Sequence, residues 1–138
     1  MTIHAYTDGA SRGNPGESAI GVVLKDEQGN VIRCIGRYIG TATNNMAEYT
    51  ALLACLAMVQ ETKCRHLIVY TDSELMARQL SGQYRVKDSR LKTMFREIQE
   101  KLDAAAYTFE LRQIARDQNS EADVLANRSL NLKRSIET

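Results

Sequence analysis

The sequence predicts an α/β protein with a mixed five-stranded sheet, three antiparallel strands followed by two parallel ones, flanked by helices. Three observations predict it. Short apolar runs near the N-terminus are separated by turn residues, as in an antiparallel meander. A long segment without Gly or Pro follows, with apolar residues at helical spacing. The rest alternates strand with helix, which requires parallel strands joined by right-handed crossovers.

The elements follow in order. Residues 2–7 (TIHAYT) and 19–25 (AIGVVLK) read as strands, and Gln28-Gly29-Asn30 supplies a turn before a third strand over 31–39. The segment 44–61 predicts an amphipathic helix with Leu52, Cys55, Leu56 and Val59 on its buried stripe. LIVY at 67–70 reads as a buried strand, followed by a short helix from Ser73 to Leu80 that stops at Gly82. A helix over 89–105, a strand over 107–114 and a last helix over 119–130 complete the pattern, and the final eight residues are expected to fray.

Composition bounds the function. The chain has 138 residues, 43% hydrophobic and 25% charged, with one proline, which predicts a single folded domain over residues 1–138 and argues against disorder. Eighteen Lys and Arg against seventeen Asp and Glu exclude binding to nucleic acid by bulk positive charge. A local excess remains: residues 85–96 hold five Lys or Arg and one Asp, ordinarily a solvated face. Cys34, Cys55 and Cys64 form no CxxC pair, so reduced thiols and a cytoplasmic location are expected. No signal peptide or membrane span is visible, and a monomer with no membrane partner is expected.

The acidic residues carry the chemistry. Tyr-Thr-Asp occurs twice, at 6–8 and 70–72, each time closing an apolar strand. Ligands collect beyond the carboxyl ends of parallel strands, so Asp8 and Asp72 can share a site. Taken singly, each is explained as well by a turn or a helix cap. Glu48 lies on the same helical stripe as Leu52, Cys55, Leu56 and Val59, a place a merely solvating Glu avoids, although the helix dipole also favours an acid there. Asp123 sits in NSEADVLAN, where Ser120 and Asp123 also fit a capping box. Four acids on two strand ends and two helix starts repel one another unless hard cations lie between them, which suits Mg²⁺.

The stretches TDGASRGNPG at 7–16, TNNMAEYTAL at 43–52, YTDSELMARQL at 70–80 and QNSEADVLAN at 118–127 together resemble the type 1 ribonuclease H family, in order and over nearly the whole chain. The resemblance implies a ribonuclease H-like sheet and a metal-dependent endoribonuclease that hydrolyses the RNA strand of RNA–DNA hybrids, leaving 5′-phosphate and 3′-hydroxyl ends. Asp8, Glu48, Asp72 and Asp123 correspond to the family's metal-binding carboxylates, with two Mg²⁺ or Mn²⁺ ions per site once substrate is bound. Two metals activate a water and stabilise the leaving 3′-oxygen without a protein nucleophile. His4, His66 and Cys55 are accordingly read as structural.

Substrate recognition falls to other residues. Gly13 and Asn14 lie in the loop RGNPG, whose alternative role is a plain turn. Asn44 and Asn45 stand beside Glu48 and are able either to cap the helix or to contact base edges and sugars. Thr43 resembles the family's DNA-phosphate contact. The chain departs from the family pattern in three places: it has no Trp-containing basic protrusion, the loop QIARDQ at 113–118 offers Arg116 where many members have His, and Glu74 stands where many have Gln. Arg116 acts as a cation and not as a base near neutral pH. Glu74 offers only acceptors when ionised, which brings in double-stranded RNA as a second substrate. Two other functions remain open on the sequence: a nucleic-acid-binding module with feeble catalysis, and another nuclease or strand-transfer enzyme on the same scaffold.

Overall fold

A computed structural model describes residues 1–137. The elements run β1 (Thr2–Gly13), β2 (Gly16–Lys25), β3 (Val31–Ala42), α1 (Asn44–Val59), β4 (His66–Thr71), α2 (Glu74–Leu80), α3 (Ser89–Asp103), β5 (Thr108–Gln113), a 3₁₀ turn (Arg116–Gln118), α4 (Ser120–Leu132) and β6 (Ile136–Glu137). The sheet order is β5-β4-β1-β2-β3-β6, with β1, β2 and β3 antiparallel and β4 and β5 added parallel to β1. This is the predicted mixed sheet with one strand more. β6 pairs with β3 at Ile35 and Gly36, so within residues 131–137 the segment expected to fray instead extends α4 to Leu132 and adds a short sixth strand, while Thr138 lies outside the described residues.

The first strands are longer than their apolar cores suggest. Asp8 and Gly9 resemble turn residues, yet the β2 ladder continues through Asp8 opposite Gly21 and Gly9 opposite Ile20. Both glycines have a packing reason. A Cβ on Gly9 would lie 2.7 Å from the backbone of Ala47 and Glu48, and one on Gly21 would lie 2.0 Å from the Ala122 carbonyl oxygen. Helix α1 therefore rests directly on one face of the sheet and α4 on the other, on neighbouring strands beside Asp8.

The main core lies under α1 and α3. Ile3, Ala5, Ile20, Val22, Leu24, Leu67 and Val69 meet Leu52, Leu56 and Ile98 there. α1 is buried at ten of its sixteen positions, so it is an enclosed helix and not the predicted half-exposed one. Its N-cap is Thr43, whose Oγ1 accepts from the Met46 N–H at 3.1 Å, a role the sequence reading had offered to Asn44 and Asn45. His4 pairs with the Tyr70 hydroxyl and His66 with Thr108, structural roles as expected. No helix of the described residues is long and apolar enough to cross a membrane.

Candidate active site

The close-packed helices bring the acids together. Asp8 comes from the middle of β1, Asp72 from the residue after β4, and Glu48 from the second turn of α1. One carboxylate oxygen from each lies within 4.8 Å of the others. Glu48 Oε1 accepts the Gly9 N–H at 3.0 Å, a bond that the missing Cβ makes room for. Asp123, in the first turn of α4, comes within hydrogen-bonding reach of Asp8 from the opposite face. Its backbone carbonyl and its Oδ1 both accept from Asn127 Nδ2.

Crowding sets the electrostatics. Burial, then repulsion from Glu48 and Asp72 and the hydrogen bond to Asp123, pushes Asp8 up to about 9. Burial and Asp72 likewise raise Glu48 to about 8, against the opposing pull of the Gly9 N–H and the Arg116 guanidinium. An all-carboxylate donor set held in this state matches a hard divalent cation, which replaces the missing water and cancels the repulsion. The chemistry of the donors therefore fits Mg²⁺ or Mn²⁺.

The expected substrate residues divide into two groups. Gly13, Asn14, Thr43, Asn44 and Asn45 gather where the β1–β2 turn meets the start of α1: Asn14 Oδ1 accepts the Asn44 N–H at 3.0 Å, and Gly13 bends the chain with φ +110°. Glu74 stands apart as the first residue of α2, exposed, and pairs with Arg78 one turn on at 3.1 Å. Arg116 lies exposed in the 3₁₀ turn, near enough to act on Glu48. Of the basic run, Arg85, Lys87, Arg90, Lys92 and Arg96 are all exposed, and its one acid, Asp88, caps α3 through the Arg90 and Leu91 N–H groups.

The structure also corrects the capping box. Asn119, not Ser120, occupies the N-cap position of α4, and its side chain caps nothing. Its amide Nδ2 instead donates to the Thr7 carbonyl at 2.8 Å and to Asp72 Oδ2 at 3.1 Å, tying α4 to both acid-bearing strands. Sequence reasoning missed this residue because an Asn ahead of a helix already has an explanation. It missed Gln79 and Tyr49 as well, a buried polar pair joining α2 to α1 at 2.9 Å. Gln79 on the inner side of a short helix was the available signal.

A cavity of about 370 Å³ lies between the C-terminal ends of α1 and α3, lined by Cys64 and Tyr107, and includes none of the acids.

A family model described as reverse transcriptase-like matches residues 6–129. The ribonuclease HI of Halobacterium salinarum is 39% identical over 131 residues, 93% of this chain and 64% of that protein. A bifunctional protein of Mycobacterium tuberculosis is 35% identical over 133 residues, 92% of this chain and 35% of its own length. The chain thus spans less than two-thirds of either curated relative. Among solved structures, LC11-RNase H1, isolated from compost by a metagenomic approach and determined in complex with an RNA/DNA hybrid, superposes with a TM-score of 0.90 at 38% identity, covering 95% of this chain and 98% of that one.

Proposed function

This chain belongs to the type 1 ribonuclease H family, and from that premise we propose that it is a metal-dependent endoribonuclease, a single domain over 1–138, that hydrolyses the RNA strand of RNA–DNA hybrids to 5′-phosphate and 3′-hydroxyl ends. The observation that carries the reading is the convergence of Asp8, Glu48 and Asp72 within 4.8 Å, with Asp123 facing Asp8. These four residues would hold Mg²⁺ or Mn²⁺, two ions with substrate. When bound there, such cations would supply Lewis acidity to activate a water and to stabilise the leaving 3′-oxygen.

The chain's own groups orient and bind. The Gly9 N–H fixes Glu48 and the Asn119 amide fixes Asp72, so neither carboxylate has to be ordered during reaction. Gly13, Asn14, Asn44, Asn45 and Glu74 face the RNA strand, where 2′-hydroxyl contacts distinguish it from DNA of equal phosphate charge. Thr43 and the cations of residues 85–96 meet phosphates of the DNA strand, and Arg116 serves the scissile phosphate or product release as a permanent cation. Glu74 offers acceptors only, which extends the proposal to slow cleavage of double-stranded RNA. The enzyme acts as a monomer in the cytoplasm, where Cys55 and Cys64 remain thiols.

The test is incubation with matched RNA–DNA, RNA–RNA and DNA–DNA duplexes, with Mg²⁺, with Mn²⁺ and with chelator. The expected result is metal-dependent cutting of the hybrid, slower cutting of RNA–RNA, and intact DNA. A hybrid bound but left uncut under both metals would make the chain a binding module. Cleavage of the DNA duplex would make it a different nuclease of this fold.

A further inference from the structure

Two rows of residues run away from the acids on the side of the sheet that α4 covers. On β1, Asp8, Ala10 and Arg12 share a face, and on α4, Asp123, Asn127 and Asn131 follow at four-residue steps along one side of the helix. The rows are joined at both ends. Asp123 comes within hydrogen-bonding reach of Asp8 at one end, and Arg12 Nη2 donates to Asn131 Oδ1 at the other. Four strand residues span about 13 Å and eight helical ones about 12 Å, so the rows lie side by side as one track. Arg12, Asn127 and Asn131 are all exposed, and the proposed reaction uses none of them. Charge changes along the track. Asn127 gives its NH₂ to the Asp123 carboxylate at 3.0 Å, Asn131 gives its oxygen to Arg12, and Ala10 is apolar, so beyond the acids the lining is neutral until the Arg12 guanidinium. Glu17, opposite Arg12 on β2, is held by Lys133 Nζ at 2.9 Å and by the Tyr38 hydroxyl at 3.2 Å. The bond to Asn131 uses one of the five guanidinium N–H groups and leaves the rest for an incoming acceptor.

We propose that this track is a further nucleic-acid subsite, in which Arg12 binds a phosphate of the RNA strand a few nucleotides from the cut. The inference rests on the proposed hybrid cleavage. The strand being cut has its phosphate over the acids, so the chain leaving them along β1 and α4 is that same strand. The DNA-strand contacts proposed above, Thr43 and residues 85–96, lie at the starts of α1 and α3, on the opposite face of the sheet from α4. A planar guanidinium matches two phosphate oxygens with parallel N–H groups, which an amide or an ammonium does not. Asn131 is a positioning residue: its oxygen already holds the guanidinium against α4, so less side-chain freedom is lost when the phosphate arrives.

Binding is read in chelator, where nothing is cut, from the fluorescence anisotropy of labelled hybrids at several salt concentrations. On a long hybrid, Arg12→Gln should bind roughly 3–10-fold more weakly at about 0.1 M salt, with the slope of log K against log salt smaller by about one. Arg12→Lys should keep that slope. Asn131→Ala should also keep it, with a loss of roughly 2–3-fold, since it leaves the charge and removes only the anchor. The hybrids are then shortened from each end, one strand at a time. Trimming the RNA strand on one flank should erase the difference between parent and Arg12→Gln, and trimming the DNA strand alone should preserve it; the flank that erases it gives the direction of the track. An Arg12→Gln protein that binds the long hybrid as tightly as the parent overturns the proposal. So does a difference that survives every RNA trim, or one that disappears with the DNA strand instead. An Asn131→Ala protein equal to the parent at every length overturns the positioning role. A parent that binds hybrids in the expected way but cuts none once metal is added counts against the proposed function and not against the subsite, whereas a parent that binds no hybrid overturns both.

Discussion

The two Tyr-Thr-Asp segments are identical in sequence and lie side by side on parallel strands, with Tyr6 paired to Tyr70 and their rings stacked 4.6 Å apart, yet their acids live in different surroundings. After Asp8, β1 continues to Gly13, held by the β2 ladder and covered by α1 and α4, so Asp8 is only 4% exposed. After Thr71, β4 ends: the Thr71 hydroxyl accepts from the Ser73 N–H, Ser73 caps α2, and Asp72 stays partly open. The corresponding Thr7 hydroxyl is buried with no partner among the described residues. What the chain does after an acid, more than the motif containing it, decides how that acid behaves. Asn119 bridges the two copies, donating to the Thr7 carbonyl on one side and to Asp72 on the other.

The largest effect should not distinguish the copies. Asp8→Asn and Asp72→Asn each remove a metal-binding carboxylate, and each should lower hybrid cleavage by at least about 10³-fold, roughly 4 kcal/mol of barrier. Single-turnover assays at saturating Mg²⁺ check this. Parental cleavage by either folded variant would remove that acid from the site.

Asn119→Ala sharpens the comparison at its bridge. It should weaken Mn²⁺ binding by about 10–100-fold, as for other residues that orient a metal ligand. Calorimetric titration of the free protein with Mn²⁺ reads this directly. Because Asn119 holds the Asp72 carboxylate but only the backbone beside Asp8, combining Asn119→Ala with Asp72→Asn should weaken binding hardly beyond Asp72→Asn alone, whereas combining it with Asp8→Asn should show both losses. Additive losses in both pairs would mean that the Asn119 contact to Asp72 does not matter to the metal.

Arg116 acts electrostatically on Glu48, the acid that comes from outside the two copies of the motif. Arg116→Ala should lower turnover about tenfold while leaving the pH–rate profile without a step gained or lost near pH 6.5, where a histidine would respond. Unchanged turnover would make Arg116 a surface charge, and a step lost near pH 6.5 would assign the titration elsewhere.

Much of this was legible in the sequence because it depends on period and type of residue. The strand and helix order follows from apolar spacing, and Asp8, Glu48 and Asp72 stood out as acids at strand ends and on a buried stripe. The overlooked parts depend on contacts between distant segments. β1 runs past Asp8 because the partner strand and two helices press on it, which no local pattern shows. The caps expected at Asn44 or Asn45 and at Ser120 fall instead one residue earlier, at Thr43 and Asn119, for one shared reason: Asn, Ser and Thr near a helix start all look like caps, and only geometry says which oxygen accepts and which amide is spent on another strand. β6 was missed because its two residues carry no periodicity of their own.

The smallest expected effect is on stability, and it separates the two acids most cleanly. Asp8 and Glu48 titrate near 9 and 8 in the folded chain, against ordinary values of 3.8 and 4.5. From about pH 4 upward the unfolded chain has lost protons that the folded chain still holds, so stability without metal should fall as pH rises, until the folded chain releases them near pH 8–9. Asp8→Asn removes the more strongly shifted of the two groups outright. Asp72→Asn removes only a repulsion, and burial, the first cause for both shifted acids, persists. At pH 8 in chelator, Asp8→Asn should therefore raise Tm by roughly 3–8 °C, and Asp72→Asn by less. The Asp8→Asn protein should also show a flatter dependence of Tm on pH between 5 and 9, with the remaining slope due to Glu48. Saturating Mg²⁺ should shrink the difference, since the cation stabilises the parent and has fewer ligands in the variant. Equal gains from the two substitutions would mean that mutual repulsion, and not the burial peculiar to β1, sets the strain in this site.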